Sequence, residues 1–187
     1  VRFFYDCEFI EDGHTIDLIS IGIVAEDDRE YYAIDRDAPW KRIYRHKWLC
    51  EHVLPSLPLL HGDARLDVHT GPLKRRRNPH VLDFQDPAFK RRVVIAAEVA
   101  DFLLSGDSKP ELWAWYAAYD HVVLCQLWGR MIDLPEGMPM YTHDLKQECD
   151  RLGNPEMPAQ PGGEHNALAD ARHVAVMARF LDELVGP

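Results

Sequence analysis

RFFYDCEFI, residues 2–10, decides how the rest of the chain is read. Aromatic and β-branched residues dominate it, as they do in strands. Within it, Asp6 and Glu8 stand two apart, so on a strand they share one face. Cys7 lies between them and points the opposite way. An isolated Asp-x-Glu is usually an exposed edge. Here Phe3, Phe4, Tyr5, Phe9 and Ile10 predict a strand covered on both faces, where two lone acids are costly. The acids therefore need a partner.

Two later stretches supply it. WYAAYDHVVL (115–124) places Asp120 at the start of a helix, in line with Leu124, Leu127 and Met131 on one face. HNALADAR (165–172) opens the last helix at Asn166, and there Asp170 lines up with Val174, Met177 and Leu181. An acid on a buried stripe wants a counter-charge, and the nearby Arg172 and Arg179 fall off that stripe. His165 precedes the helix and follows Pro161-Gly162-Gly163. Histidine is a residue type suited to general-base work near neutrality. Four carboxylates around one point repel unless hard cations sit among them, which points to metal-assisted phosphodiester chemistry.

The strand Asp17–Ala25 and a third over Glu30–Ile34 follow short acidic turns, as in an antiparallel meander. A helix is expected over His46–Leu54. Asp86-Pro87 reads as the opening of another, with Phe89, Val93, Ala96, Ala100 and Leu103 along one face and Ser105-Gly106 at its end. Glu111–Trp115 reads as a buried strand. The helix at Asp120 is expected to run over His121–Met131. Thr142 reads as the cap of a helix over His143–Leu152 closed by Gly153. The last helix runs to about Leu184. The whole is an α/β sandwich with a mixed sheet, in one domain spanning 1–187.

Composition narrows the classes. At 47% hydrophobic and 28% charged residues, the chain reads as a soluble globular protein. No apolar run is long enough to cross a bilayer, and acid at position 6 argues against a signal peptide. The cysteines at 7, 50, 125 and 149 have no zinc spacing and read as free thiols of a cytoplasmic protein. A net charge of −10 disfavours a nonspecific nucleic-acid coat but suits an enzyme that grips one strand end. The basic run Lys74-Arg75-Arg76-Arg77 could guide an incoming strand or be a solvated loop. Phe9, Trp115 and Tyr119 flank the acids and could stack on terminal bases, with core packing the plainer reading of Trp115.

In its motifs the chain resembles the histidine-containing branch of the DEDD 3′-5′ exonucleases. These are Asp6-Cys7-Glu8, then Asp120, then His165 with Asp170 five residues on. YDCEFIEDGHTIDLISIGIVAEDDREYYAI and ELWAWYAAYDHVVLCQLWG are similar to the small adenylate-specific exoribonucleases of the RNase AS family. The resemblance implies a ribonuclease-H-like fold with a central five-stranded mixed sheet. Its first three strands would be antiparallel, and the strand at 111–115 parallel to the first. It also implies two Mg²⁺ or Mn²⁺ ions held by Asp6, Glu8, Asp120 and Asp170, with His165 as the base. The substrate would be the 3′ end of single-stranded RNA, poly(A) among the candidates, and the enzyme a homodimer. The residues themselves leave open a short-oligonucleotide exoribonuclease, a DNA 3′-5′ exonuclease and an inactive binding module. The absence of Thr-Thr-Gly after Glu8, and Tyr116 where Asn is often found, argue against DNA proofreading.

Overall fold

The computed structural model describes residues 1–60 and 80–186. The Lys74–Arg77 run lies outside them. The elements are β1 (Arg2–Glu11), β2 (Ile16–Ala25), β3 (Glu30–Asp35), α1 (Trp40–Ile43), α2 (Lys47–His52), β4 (Phe89–Lys90), α3 (Arg92–Leu104), β5 (Glu111–Ala114), α4 (Ala118–Cys125), β6 (His143–Asp144), α5 (Leu145–Arg151) and α6 (Ala167–Val185). The sheet order is β4-β3-β2-β1-β5-β6. β1, β2 and β3 are antiparallel neighbours and β5 runs parallel to β1, the ribonuclease-H-like arrangement expected. The sheet has six strands rather than five, because the two-residue strands β4 and β6 extend its edges.

Strand alternation splits the core. Phe3, Tyr5 and Cys7 face one side with Ile21, Ile23, Ile95, Val99 and Leu124. Phe4 and Val24 face the other, against Val174, Met177 and Leu181 of α6. Asp6 and Glu8 continue the Phe4 face, so they look toward α6, and Cys7 points away as its register requires. A third apolar cluster joins Ile10, Ile19 and Ile34 to Leu49, Val53 and Leu54, anchoring the segment after β3. A bulge between Glu8 and Phe9 marks the end of the acid pair.

Several boundaries differ from expectation. Pro87 does not open a helix. Asp86 Oδ1 accepts the Ala88 N–H in a turn, and Phe89 and Lys90 pair with Ile34 and Asp35 before α3 begins at Arg92. The buried face of α3 is Ile95, Ala96, Val99 and Leu103, while Val93 is 67% exposed. α4 starts at Ala118, so Asp120 lies in its first turn. It ends at Cys125 in successive i→i+3 bonds, from the N–H groups of Leu127, Trp128 and Gly129, which tighten the chain. Met131 therefore leaves the helix and is 51% exposed. Asp144, not Thr142, caps α5, accepting the Lys146 N–H at 2.9 Å. Toward the C-terminus, Asn166 caps α6 by accepting the Ala169 N–H at 3.1 Å. Among the described residues no helix is long and apolar enough to cross a membrane.

Candidate metal centre

β1 and β5 are paired only over Arg2–Phe4 and Glu111–Trp113. Beyond Phe4 the edge of β1 is open, and the first turn of α4 fills it. There Asp120 Oδ1 accepts the Cys7 N–H at 2.8 Å. An unpaired strand amide thereby fixes the carboxylate of Asp120 beside Asp6 and Glu8. α6 comes from a different direction. It crosses the face of β1 and β2, and its first turn presents Asp170.

This crossing is close. Gly22 is the register partner of Asp6 on β2. A Cβ at Gly22 would lie 2.4 Å from Ala167 C and O and from Leu168 Cα. Only glycine lets the helix backbone approach the sheet this near. The result is a cluster in which one oxygen each from Asp6, Glu8 and Asp170 all lie within 4.8 Å of one another. Asp120 is not one of those three, but its charge reaches both Asp6 and Glu8.

The electrostatics follow from burial and like charge. Glu8 is 8% exposed and Asp120 7%. Burial, then Asp170 and Asp120, push the Glu8 carboxyl up to about 8. Burial raises Asp120 to about 6, the Cys7 amide opposing and Asp144 adding to the rise. Asp6 goes well above the usual carboxylate range, first from burial and then from Asp120, Glu8 and Asp170. Asp170 is also raised by burial, with Gln160 and the His165 amide holding it down. Arg172 and Arg179 do not compensate it: they pair with Glu30 at 2.6 Å and Asp28 at 2.7 Å. Acids this crowded and this dry are an all-oxygen donor set waiting for charge, which fits a hard divalent cation.

His165 has φ 64°, a left-handed backbone unusual outside glycine. It is latched on both sides. Its N–H donates to Asp170 Oδ2 at 2.9 Å, and its carbonyl lies 2.7 Å from the Ser56 hydroxyl, which also reaches Val53 O at 2.8 Å. Asn166 Nδ2 donates to Ser56 O at 3.2 Å. The ring packs edge-on to Trp48 at 4.9 Å and to His52 at 5.5 Å. Proximity to Asp170 is thus a property of the His165 backbone, while its ring sits in an aromatic group from α2.

The three aromatic candidates separate. Phe9 and Tyr119 stack on each other, centroids 5.9 Å apart and planes 11° from parallel, and Tyr119 is exposed. Trp115 packs against the α6 side of the core and meets Tyr116 edge-on at 5.4 Å.

Sequence reasoning missed Gly22, Ser56, Asp144 and Gln160. A lone glycine within a β-branched strand is a readable signal of close backbone approach. Asp144 is a readable local cap, but its reach to Asp120, like the roles of Ser56 and Gln160, depends on contacts between separate segments of the chain.

No family model matches the chain. It is 45% identical over 172 residues, 92% of its own length and 88% of theirs, to 3′-5′ exoribonucleases of Mycobacterium tuberculosis from strains CDC 1551 and H37Rv. A solved structure described as 3′-end specific recognition of histone mRNA stem-loop by 3′-exonuclease aligns at 14% identity and a TM-score of 0.47, covering 97% of this chain and 63% of that one. With nearly half its residues shared across almost its whole length, the chain belongs to the family of these mycobacterial 3′-5′ exoribonucleases.

Proposed function

We propose that the chain, as one exonuclease domain over residues 1–187, is a metal-dependent 3′-5′ exoribonuclease. It would remove nucleoside 5′-monophosphates from the 3′ end of single-stranded RNA, with adenylate-rich ends preferred. The observation that carries the reading is the convergence of Asp6, Glu8 and Asp170, with Asp120 beside them, in a chain of this family. In this reading the four acids hold two Mg²⁺ or Mn²⁺ ions. Such ions, when bound, supply charge compensation and Lewis acidity toward the scissile phosphate. His165 takes the proton of the attacking water. Its left-handed backbone is latched to Asp170 and Ser56, and for this step its ring would swing from Trp48 and His52 toward the acid cluster. Tyr119, exposed and stacked on Phe9, offers a face to a terminal base, and Phe9 and Trp115 are the further candidates for base contact. Adenylate preference and a homodimeric state are supported by the resemblance to RNase AS. A cytoplasmic setting is supported by four free cysteines.

A time course on 5′-end-labelled oligo(A), oligo(U), a dinucleotide and single-stranded DNA tests the reaction. A ladder shrinking from the 3′ end with Mg²⁺, absent with chelator and fastest on oligo(A), is expected. Fastest turnover of the dinucleotide would favour a short-oligonucleotide enzyme, and fastest turnover of DNA a DNA exonuclease. Binding without cleavage would favour an inactive module. His165→Ala is expected to lower kcat by about 10²- to 10⁴-fold while Mn²⁺ affinity, read by calorimetry, stays near wild type. Near-normal turnover in that variant would remove His165 from the mechanism.

Metal and pH should act together on stability. Carboxyls raised in the folded state bind protons more tightly there than when unfolded, so they stabilise the metal-free fold at low pH. That contribution is lost as pH rises through their folded values, about 6 for Asp120 and about 8 for Glu8. Thermal melting should show a Mg²⁺-dependent rise over chelator that is larger at pH 8 than at pH 5. Equal melting temperatures with metal and chelator at pH 8 would contradict a filled acidic site.

A further inference from the structure

The three clustered acids are not held alike. Asp6 and Glu8 are fixed by the backbone of β1, and among the described residues neither carboxylate accepts a hydrogen bond. Asp170 is the exception. Gln160 Nε2 donates to its Oδ1 at 2.6 Å, and the His165 N–H to its Oδ2 at 2.9 Å. One donor on each oxygen defines the tilt of the carboxylate plane.

Gln160 is itself oriented. Its Nε2 also reaches Gly162 O at 3.4 Å. The reverse amide orientation would set Oε1 against a carboxylate and against a carbonyl, two acceptors with no proton between them. The turn that brings the loop back is built on positive φ at Gly162 (142°) and Gly163 (80°). A loop of no fixed secondary structure thus delivers one amide to one carboxylate.

We infer that Gln160 is a positioning residue that orients Asp170 for cation binding, an inference that rests on the reading of Asp170 as a metal ligand. Gln160 is placed to act through Asp170: its two donor contacts are spent on Asp170 and Gly162. Groups that hydrogen-bond a ligating carboxylate set its geometry, and losing one weakens metal binding about 10- to 100-fold.

The test is a Mn²⁺ titration by calorimetry on wild type, Gln160→Met, Gln160→Ala and Asp170→Asn, with kcat measured as a function of Mn²⁺. Gln160→Met keeps length and removes both donors; Gln160→Ala decides the matter if the methionine variant fails to fold. Mn²⁺ affinity is expected to fall about 10- to 100-fold in the Gln160 variants, while melting in chelator stays within a few degrees of wild type. Saturating Mn²⁺ should restore kcat, an effect that general loss of structure would not give. Unchanged Mn²⁺ affinity in the Gln160 variants, with Asp170→Asn losing it, would overturn this inference and leave the metal site standing. Unchanged affinity in Asp170→Asn would overturn both.

Discussion

Asp6→Asn is expected to destroy activity and, without metal, to stabilise the fold. The two effects have one cause. Asp6 sits at the centre of the acid cluster, raised by burial and by Asp120, Glu8 and Asp170 together. With cations present its charge is needed; removing a ligand that helps hold them should cost several kcal/mol of transition-state stabilisation, or roughly a thousandfold in kcat. With cations absent the same charge is a liability. The neutral amide keeps the shape and removes repulsion from Glu8, Asp120 and Asp170. At pH 8 in chelator the gain should be on the order of 1–2 kcal/mol, which for a chain of this size raises the melting temperature by about 3–6 °C. At pH 5 the wild-type cluster has already taken up protons, so the gain should shrink. A variant that melts lower than wild type at pH 8 in chelator would show that the acids are not repelling.

Gly22→Ala is the second large effect. The added methyl would meet Ala167 C, Ala167 O and Leu168 Cα, all at 2.4 Å. These are helix backbone atoms, with no flexible side chain to swing aside. α6 must therefore move off β2, and it carries Asp170 on its first turn. Overpacking of this kind costs about 1–3 kcal/mol or more, measurable by urea denaturation. Activity should fall further than stability, because any displacement of the helix start separates Asp170 from Asp6 and Glu8. Since the obstruction is backbone, adding Ala167→Gly should not rescue the variant. Restoration of wild-type activity by that second change would mean that side-chain packing, not helix approach, is what Gly22 protects.

Period and chemistry made some of the fold legible. Alternation in β1 put Asp6 and Glu8 on one face and Cys7 on the other. The α6 stripe placed Asp170 with Val174, Met177 and Leu181, and the helix begins at Ala167, one residue after the expected start at Asn166, which caps it. These readings held because each rests on one element and one face. The failures lie where a long-range contact chose between local options. Asp86-Pro87 is good helix-opening chemistry, yet pairing of Phe89 and Lys90 with β3 claims those residues for the sheet. Thr142 and Asp144 are both acceptable caps, and the pairing of His143 and Asp144 with β5 decides for Asp144. The apolar stripe from Asp120 through Leu124 and Leu127 is buried as expected and breaks only at Met131, because the helix tightens and stops.

The site shows the same division. That Asp6, Glu8 and Asp170 come together was foreseeable from their motifs and faces. How they come together was not. Asp120 is set by an amide left free where β5 ends, and Asp170 by a loop glutamine ten residues upstream. The closeness of α6 depends on the missing side chain of Gly22. Each of these depends on which atoms of separate segments are neighbours, which periodicity does not encode.

Asp6, Glu8 and Asp170, with Asp120 adjoining, are proposed as the seat of catalytic cations. Crystals soaked in Mn²⁺ and measured near the manganese absorption edge test this assignment most directly. Anomalous peaks are expected within coordination distance of the Asp6, Glu8 and Asp170 carboxylates, lost in Asp6→Asn crystals. A map without signal there, in crystals whose RNA-degrading activity depends on Mn²⁺, would contradict it.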